Sequence, residues 1–343
     1  MAVVLASPPV RAATLTVTNT NDSGAGSLRQ AMIDANATGA ADTVGFAPSL
    51  SGQTITLDSQ LPVVTAAGGA LTIDGGSAGI TVSGSETGLV RLLEAGDGAQ
   101  LTLMKVTVTQ GHSGGILNKG ILEVSNSTIS GNSAANLGGG IAEQAGQAKI
   151  WNTTISENRV NSNGPGGVLI FGQAMTMWNT IVANNFVDIP GEGSFPNCFG
   201  EPITSGGYNL DSGTSCGFGT ANNSLSDTDP KLGDLADNGG PTKTYALLAG
   251  SPAINKGNNA HAVDPDGNRL QFDQRGQGFA RIVGGDVDIG AFEVQGLGSE
   301  PPPGPGPPPS GTPEDKQACQ KGGFREFGFK TQGQCIKAVN HAS

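Results

Sequence analysis

Four segments of the chain can be written under one another. Leu101 begins LTLMKVTVTQG, Leu122 begins LEVSNSTISGN, Ala148 begins AKIWNTTISEN and Ala174 begins AMTMWNTIVANN. Aligned on Thr107, Thr128, Thr154 and Thr180, they recur at steps of 21, 26 and 26 residues, with one residue missing in the fourth between Trp178-Asn179 and Thr180. A second marker follows the first three: Gly114-Gly115-Ile116, Gly139-Gly140-Ile141 and Gly166-Gly167-Val168. A period in the twenties, with short alternating strands between Asn and Gly turns, is the signature of a solenoid. One such coil cannot bury its apolar side alone. Stacked coils share a core and pair as parallel strands ~4.8 Å apart. None of the four segments has a 3.6-residue apolar period, so helical repeats fit poorly. The pattern specifies an all-β chain, a parallel β-helix solenoid.

Each residue type then has a place. The glycines, 55 of 343 residues, turn corners, the aliphatic residues fill the interior, and small polar residues coat the outside. Asn132, Asn158 and Asn184 are expected to stack coil upon coil, their amides bonded along the axis. Asn126, Asn152 and Asn179 are expected in turns, where asparagine tolerates left-handed angles. Glu123 and Lys149 fall on adjacent coils and should form an exposed ion pair of little weight. Upstream, Thr54–Leu57, Leu71–Asp74, Ile80–Val82 and the stretch 89–93 read as earlier coils. A stack of coils needs a cap. Ser27, with Gln30 at the reciprocal position, starts a short N-terminal capping helix over Ser27–Asn36 whose Leu28, Met32 and Ala35 share one face.

The cysteines fall as two local pairs, Cys198 with Cys216 and Cys319 with Cys335. Neither pair has zinc spacing, and two short disulfide loops fit an exported protein. Residues 1–13 read as the remnant of a signal peptide. The β-helix domain then spans 14–295, with its cap at 14–50, coils at about 53–190 and a C-terminal part at 191–295. The proline-rich stretch 296–313 is a stiff spacer. Beyond it, 314–343 forms a small C-terminal disulfide module, too short for an unaided core. A net charge of −11 repels phosphate backbones and argues against nucleic acid. No run is long enough for a membrane-spanning helix.

Leu15-Thr16-Val17-Thr18-Asn19, with Ser27-Leu28-Arg29-Gln30-Ala31, resembles the opening of bacterial surface proteins carrying the CSLREA motif, with Gly26 in place of the cysteine and Gln30 in place of the glutamate. Gly206-Gly207-Tyr208-Asn209-Leu210, Ser251-Pro252-Ala253-Ile254, Asp273-Gln274-Arg275-Gly276 and Asp288-Ile289-Gly290-Ala291-Phe292-Glu293 resemble the later part of the choice-of-anchor Q proteins. The resemblance covers most of residues 14–295. It implies a right-handed β-helix of the pectin-lyase-like kind, secreted or at the cell surface, with no settled activity.

Pectin-lyase-like folds often act on acidic polysaccharides, which demands a base for a lyase or flanking carboxylates for a hydrolase. The aligned rows supply neither. Thr102, Glu123, Lys149 and Thr176 form one row, and Thr109, Ser130, Ser156 and Val182 another. No catalytic residue is assigned. Asp264, Asp266, Asn268 and Asp273 alternate oxygen ligands around Gly267, which reads either as a calcium loop or as an Asx-rich turn. No other cofactor is implied. Trp151 and Trp178, one coil apart and outward, offer either a platform for sugar rings or packing beneath a loop. The expected function is that of a monomeric surface protein, structural, adhesive or in contact with a polysaccharide or other cell-envelope component. The alternative is a polysaccharide lyase or glycoside hydrolase.

Overall fold

The computed structural model describes residues 11–296, apart from 87, 89, 136, 162–163, 173 and 188–195. They form a parallel β-solenoid of about seven turns with one α-helix. An eight-stranded sheet runs from Thr14–Val17 through Leu71–Asp74 and Ile121–Ser125 to Ile203–Gly207. A seven-stranded sheet runs from Thr54–Leu57 through Thr128–Ser130 to Leu210–Asp211, and a five-stranded sheet from Leu93–Ala95 to Cys198–Gly200. Every pairing in these three sheets is parallel. Ile55, Ile73, Leu103, Val124, Ile129, Ile141, Ile150, Ile155 and Val168 point inward from the three walls and close one continuous core.

Register corrects the fourth segment. Trp151 pairs with Trp178 and Thr154 with Ile181, so Thr180 lies opposite Thr153 and outside the threonine column. Ser156 likewise faces Ala183 rather than Val182. No residue is missing from this coil: Asn152 and Asn179 are 27 residues apart and hydrogen-bonded. Backbone pairing counts positions from the Asn turn, so Thr180 holds the place of Thr153 although its side chain invites alignment with Thr154.

The same offset moves the amide ladder. Asn185, not Asn184, is its third member. Asn132 Nδ2 donates to Asn158 Oδ1 at 2.9 Å, Asn158 Nδ2 to Asn185 Oδ1 at 2.9 Å, and Asn185 Nδ2 to Asn197 Oδ1 at 3.0 Å. Asn184 is exposed with φ 56°, a turn residue. The chain of amides ends on Asp211, whose carboxylate accepts from Asn197 Nδ2 at 2.6 Å, and from the Gly213 and Cys216 N–H groups. A carboxylate can only accept, so it terminates a run of donors all pointing one way. The glycine markers make room for this ladder. A Cβ on Gly115, Gly140 or Gly167 would meet the amide of Asn132, Asn158 or Asn185 at 3.0 Å or less. Asn126, Asn152 and Asn179 sit in left-handed turns with φ of 52°, 48° and 46°, as their sequence position implies.

Both ends of the core are closed. The helix, Leu28–Thr38, is capped by the Ser27 hydroxyl, which accepts from Gln30 N, and buries Leu28, Ala31, Met32 and Ala35. At the other end Cys198 and Cys216 form a disulfide whose half-cystines pack with Phe218 into the same core. The Cys319–Cys335 pair, the module 314–343, the spacer 297–313 and residues 1–10 lie outside the described residues.

After the last coil the chain turns back. The hairpin Leu232–Asp237 with Lys243–Leu247, followed by irregular chain to Val294, lies along the outer surface of the seven-stranded sheet. Ala246, Leu247, Ala253, Ile289 and Phe292 pack there on Ile181, Ala183 and Leu210 as a second apolar cluster. This strap overturns the expectation that the small polar residues of those coils coat the outside. Thr107, Thr128 and Ser156 are fully buried, and Thr154 and Ser130 almost so.

Candidate functional site

Two surfaces of the solenoid differ in kind. On the seven-stranded sheet the strap makes specific bonds to the hydroxyl rows. The Gln274 carboxamide accepts from Thr128 Oγ1 at 2.6 Å and donates to Thr107 Oγ1 at 2.8 Å. Thr154 Oγ1 accepts from Ala291 N, Thr107 Oγ1 donates to Lys243 O, and Ser130 shares a hydrogen bond with the Tyr245 hydroxyl. The turn asparagines grip it too: Asn126 Nδ2 donates to Phe272 O, Asn152 Nδ2 to His261 O, and Asn179 Nδ2 to Asn258 O.

Within the strap lies a buried charge network. Arg275 donates to the Asp273 carboxylate through Nε and Nη2, the latter at 2.6 Å, and stacks its guanidinium on Phe279 and Phe292, 4.0 and 3.8 Å from the ring centroids. Arg281 is wholly buried; its Nη2 donates to Asn152 Oδ1, Asp288 O and Gly290 O. Its Nη1 stands 3.9 Å from Glu293 Oε2, too far for a hydrogen bond, and neither Nη1 nor Nε has a hydrogen-bond partner within the protein. Burial lowers the Arg281 pKa, opposed by Glu293, Asp273 and Asp288. Burial, reinforced by the charge of Asp288, pushes Glu293 up to about 8, although Arg281 and two backbone N–H groups oppose it. Three carboxylates thus share two guanidinium groups in a buried site. From the sequence, Asp273 reads as a candidate calcium ligand, Arg275, Asp288 and Glu293 as motif residues only, and Arg281 has no assigned place. Their signal was charge set among glycine and apolar neighbours in DQRG and DIGAFE, a context in which an ion must be paired.

The four oxygen-bearing residues read as a calcium loop do not converge. Asp264 Oδ1 and Oδ2 accept from Asn268 N and Nδ2, the bonds of an Asx turn, while Asp273 is committed to Arg275. Among the described residues no three His, Cys, Asp or Glu side chains are grouped to hold a metal ion. Trp151 and Trp178 do point outward one coil apart, but they stack on each other, 5.2 Å between centroids and 9° between planes. Trp151 is only 9% exposed, and the far face of Trp178 lies against Gly206, where a Cβ would fall inside the indole. A bulge in Ile203–Gly207 makes that room, and His261 of the strap leans on Trp178. The pair is packed under a loop and presents no open ring face.

The eight-stranded sheet is different. Its outer row reads Thr14, Thr43, Thr72, Thr102, Glu123, Lys149, Thr176, Thr204 in unbroken register. Thr14, Lys149 and Thr204 are exposed, and Glu123 pairs with Lys149 at 3.7 Å as the spacing implies. Beside this row Ile121, Gln147 and Ala174 are also exposed. The row is hydroxyl-rich and carries one charge of each sign, and Asp74 stands on the same face, paired with Lys105 at 3.4 Å. An open cleft on the strap, lined by Arg269, Leu270, Gln271, Ala280 and Ile282, contains no carboxylate or histidine. Neither a scan against protein-family models nor a search of curated proteins finds a match to the chain. No helix among the described residues is long and apolar enough to cross a membrane.

Proposed function

We propose that the chain is an exported surface scaffold that contacts a neutral polysaccharide of the cell envelope through the outer face of its eight-stranded sheet. The observation that carries this reading is the hydroxyl row from Thr14 to Thr204, exposed or half-buried except at the buried Thr102, while its counterparts on the seven-stranded sheet are covered. Hydroxyls at a regular ~4.8 Å step on a rigid sheet offer donors and acceptors at repeated intervals along an extended ligand. A face whose only charges in that row are Glu123 and Lys149 has no surplus cation to neutralise uronate groups, and the net charge of −11 opposes acidic chains at longer range. The Cys198–Cys216 bridge supports an oxidising compartment.

Retention on insoluble neutral and acidic polysaccharides tests the reading. The protein should bind a neutral polymer, and Thr176→Glu with Thr204→Glu should release it by placing two carboxylates in the row. Equal retention of the variant would remove the face from the account. New reducing or unsaturated ends in the polymer would replace it with the hydrolase or lyase reading.

A further inference from the structure

Two aromatic rings stand open at the corner where the five-stranded sheet passes into the eight-stranded one. Phe171 and Phe199 are each 57% exposed, while Trp151 and Trp178 are stacked on each other. Register fixes their places. Phe199 in Cys198–Gly200 pairs with Leu169 in Val168–Ile170. Phe171 follows Leu169 by two residues, so both rings leave the same side of the sheet, one coil apart. One strand spacing across and two residues along put their backbone positions ~8 Å from each other. Gly200 keeps the two coils close: its φ is 108°, and a Cβ there would collide with Ile170 O. Earlier coils carry no open ring in these rows. Phe199 is preceded by the buried Leu117, Ala142 and Leu169, and Phe171 by Gln144.

The rings run directly into the hydroxyl row. Past the corner, one coil presents the exposed Ala174 and the half-buried Thr176, and the next presents the exposed Pro202 and Thr204, with Thr176 opposite Thr204. Large apolar side chains gathered in the open mark a contact surface. An aromatic plate beside hydroxyls has the chemistry of a sugar ring in mirror: the sugar has apolar C–H faces and a rim of donors and acceptors. The exposed Glu201, whose N–H donates to Ile170 O beside Phe171, sets a negative charge at the edge of the patch and repels carboxylated sugars.

Resting on the polysaccharide reading above, we propose that Phe171 and Phe199 are the ring-stacking subsite of that face, and that its ligand is a neutral β-linked glycan whose consecutive residues cover the two rings while their hydroxyls reach Thr176 and Thr204. Equatorial β-links hold such a chain extended with its ring faces open. Axial α-links coil the chain and turn those faces aside. Two plates fixed on adjacent coils therefore select the extended polymer.

Retention of the full chain on amorphous cellulose, with amylose and polygalacturonate as controls, tests the subsite. Cellulose should retain the protein and the controls should not. Phe171→Ala with Phe199→Ala should weaken binding by roughly tenfold or more, and should barely move the melting temperature because both rings are exposed. Phe171→Tyr with Phe199→Tyr keeps the rings and should bind like the unaltered protein. Undiminished binding by the alanine variant overturns the subsite, and the hydroxyl row still stands if Thr176→Glu with Thr204→Glu releases the protein. Amylose retained as well as cellulose overturns the β-linked class. No retention on any neutral polymer overturns the subsite together with the reading beneath it. If the unaltered protein self-associates in sedimentation and the alanine variant does not, the rings join two copies and the subsite falls. Should the alanine variant fail to fold, ring-carbon NMR of Phe171 and Phe199 in the unaltered protein decides: shifts on adding cellohexaose uphold the subsite, and their absence overturns it.

Discussion

Replacing Asn158 by alanine removes the centre of the amide ladder. Its Oδ1 accepts from Asn132 N at 3.1 Å and from Asn132 Nδ2 at 2.9 Å, and its Nδ2 donates to Ile129 O and Asn185 Oδ1, both at 2.9 Å. Three of the four groups left behind keep another partner: Asn132 Nδ2 has Val108 O, Asn185 Oδ1 has the Asn158 backbone N–H, and Ile129 O has the parallel ladder to Thr154–Ser156. The fourth, Asn132 N, is orphaned in a fully buried site. An orphaned buried group costs about 1–3 kcal/mol and a lost but compensated bond less, so the substitution should cost ~2–4 kcal/mol. The comparison is Asn184→Gly, at an exposed residue with φ 56°, which should change stability by no more than about 0.5 kcal/mol. Urea unfolding followed by both far-ultraviolet circular dichroism and tryptophan fluorescence measures the two, provided the transitions coincide. Equal effects, or a larger loss at Asn184, would show that the ladder does not run through Asn158 and Asn185.

Two other outcomes follow from the same geometry. Cys198→Ser with Cys216→Ser opens an 18-residue loop at the end of the core and should cost about 3 kcal/mol, seen as an equal drop in the unfolding free energy; no loss would mean that Phe218 and Asp211 close the end unaided. Gly206→Ala puts a methyl into the Trp178 indole and should break the Trp151 stack, read as a lost near-ultraviolet dichroism signal with the far-ultraviolet spectrum retained.

The solenoid was legible because stacking writes itself into sequence: a coil that must match its neighbours repeats their residues. Ser27 and Gln30 marked the helix start, and the asparagines before each threonine marked the turns. The fourth coil was misread by one residue because Thr153-Thr154 gives way to Thr180-Ile181, and because Asn184 and Asn185 stand side by side. Only backbone pairing distinguishes such neighbours, and the collision at Gly167 with the Asn185 amide shows which is inside. The strap was not legible at all. Its contacts join residues far apart in the chain, Asn179 to Asn258 across 79 positions and Thr107 to Gln274 across 167, and it has no repeat from which to infer a place. Without it, the two hydroxyl faces looked alike, and the tryptophans fitted either a sugar platform or packing beneath a loop.

The division into one open and one covered face is tested most directly by thiol labelling of the native protein near pH 6. Cysteine is introduced singly, as Thr204→Cys on the eight-stranded sheet or Thr128→Cys on the seven-stranded sheet. The first should react with a maleimide at the rate of a free peptide thiol. The second, fully buried under Gln274, should react only after unfolding. Prompt reaction at both positions would contradict the account.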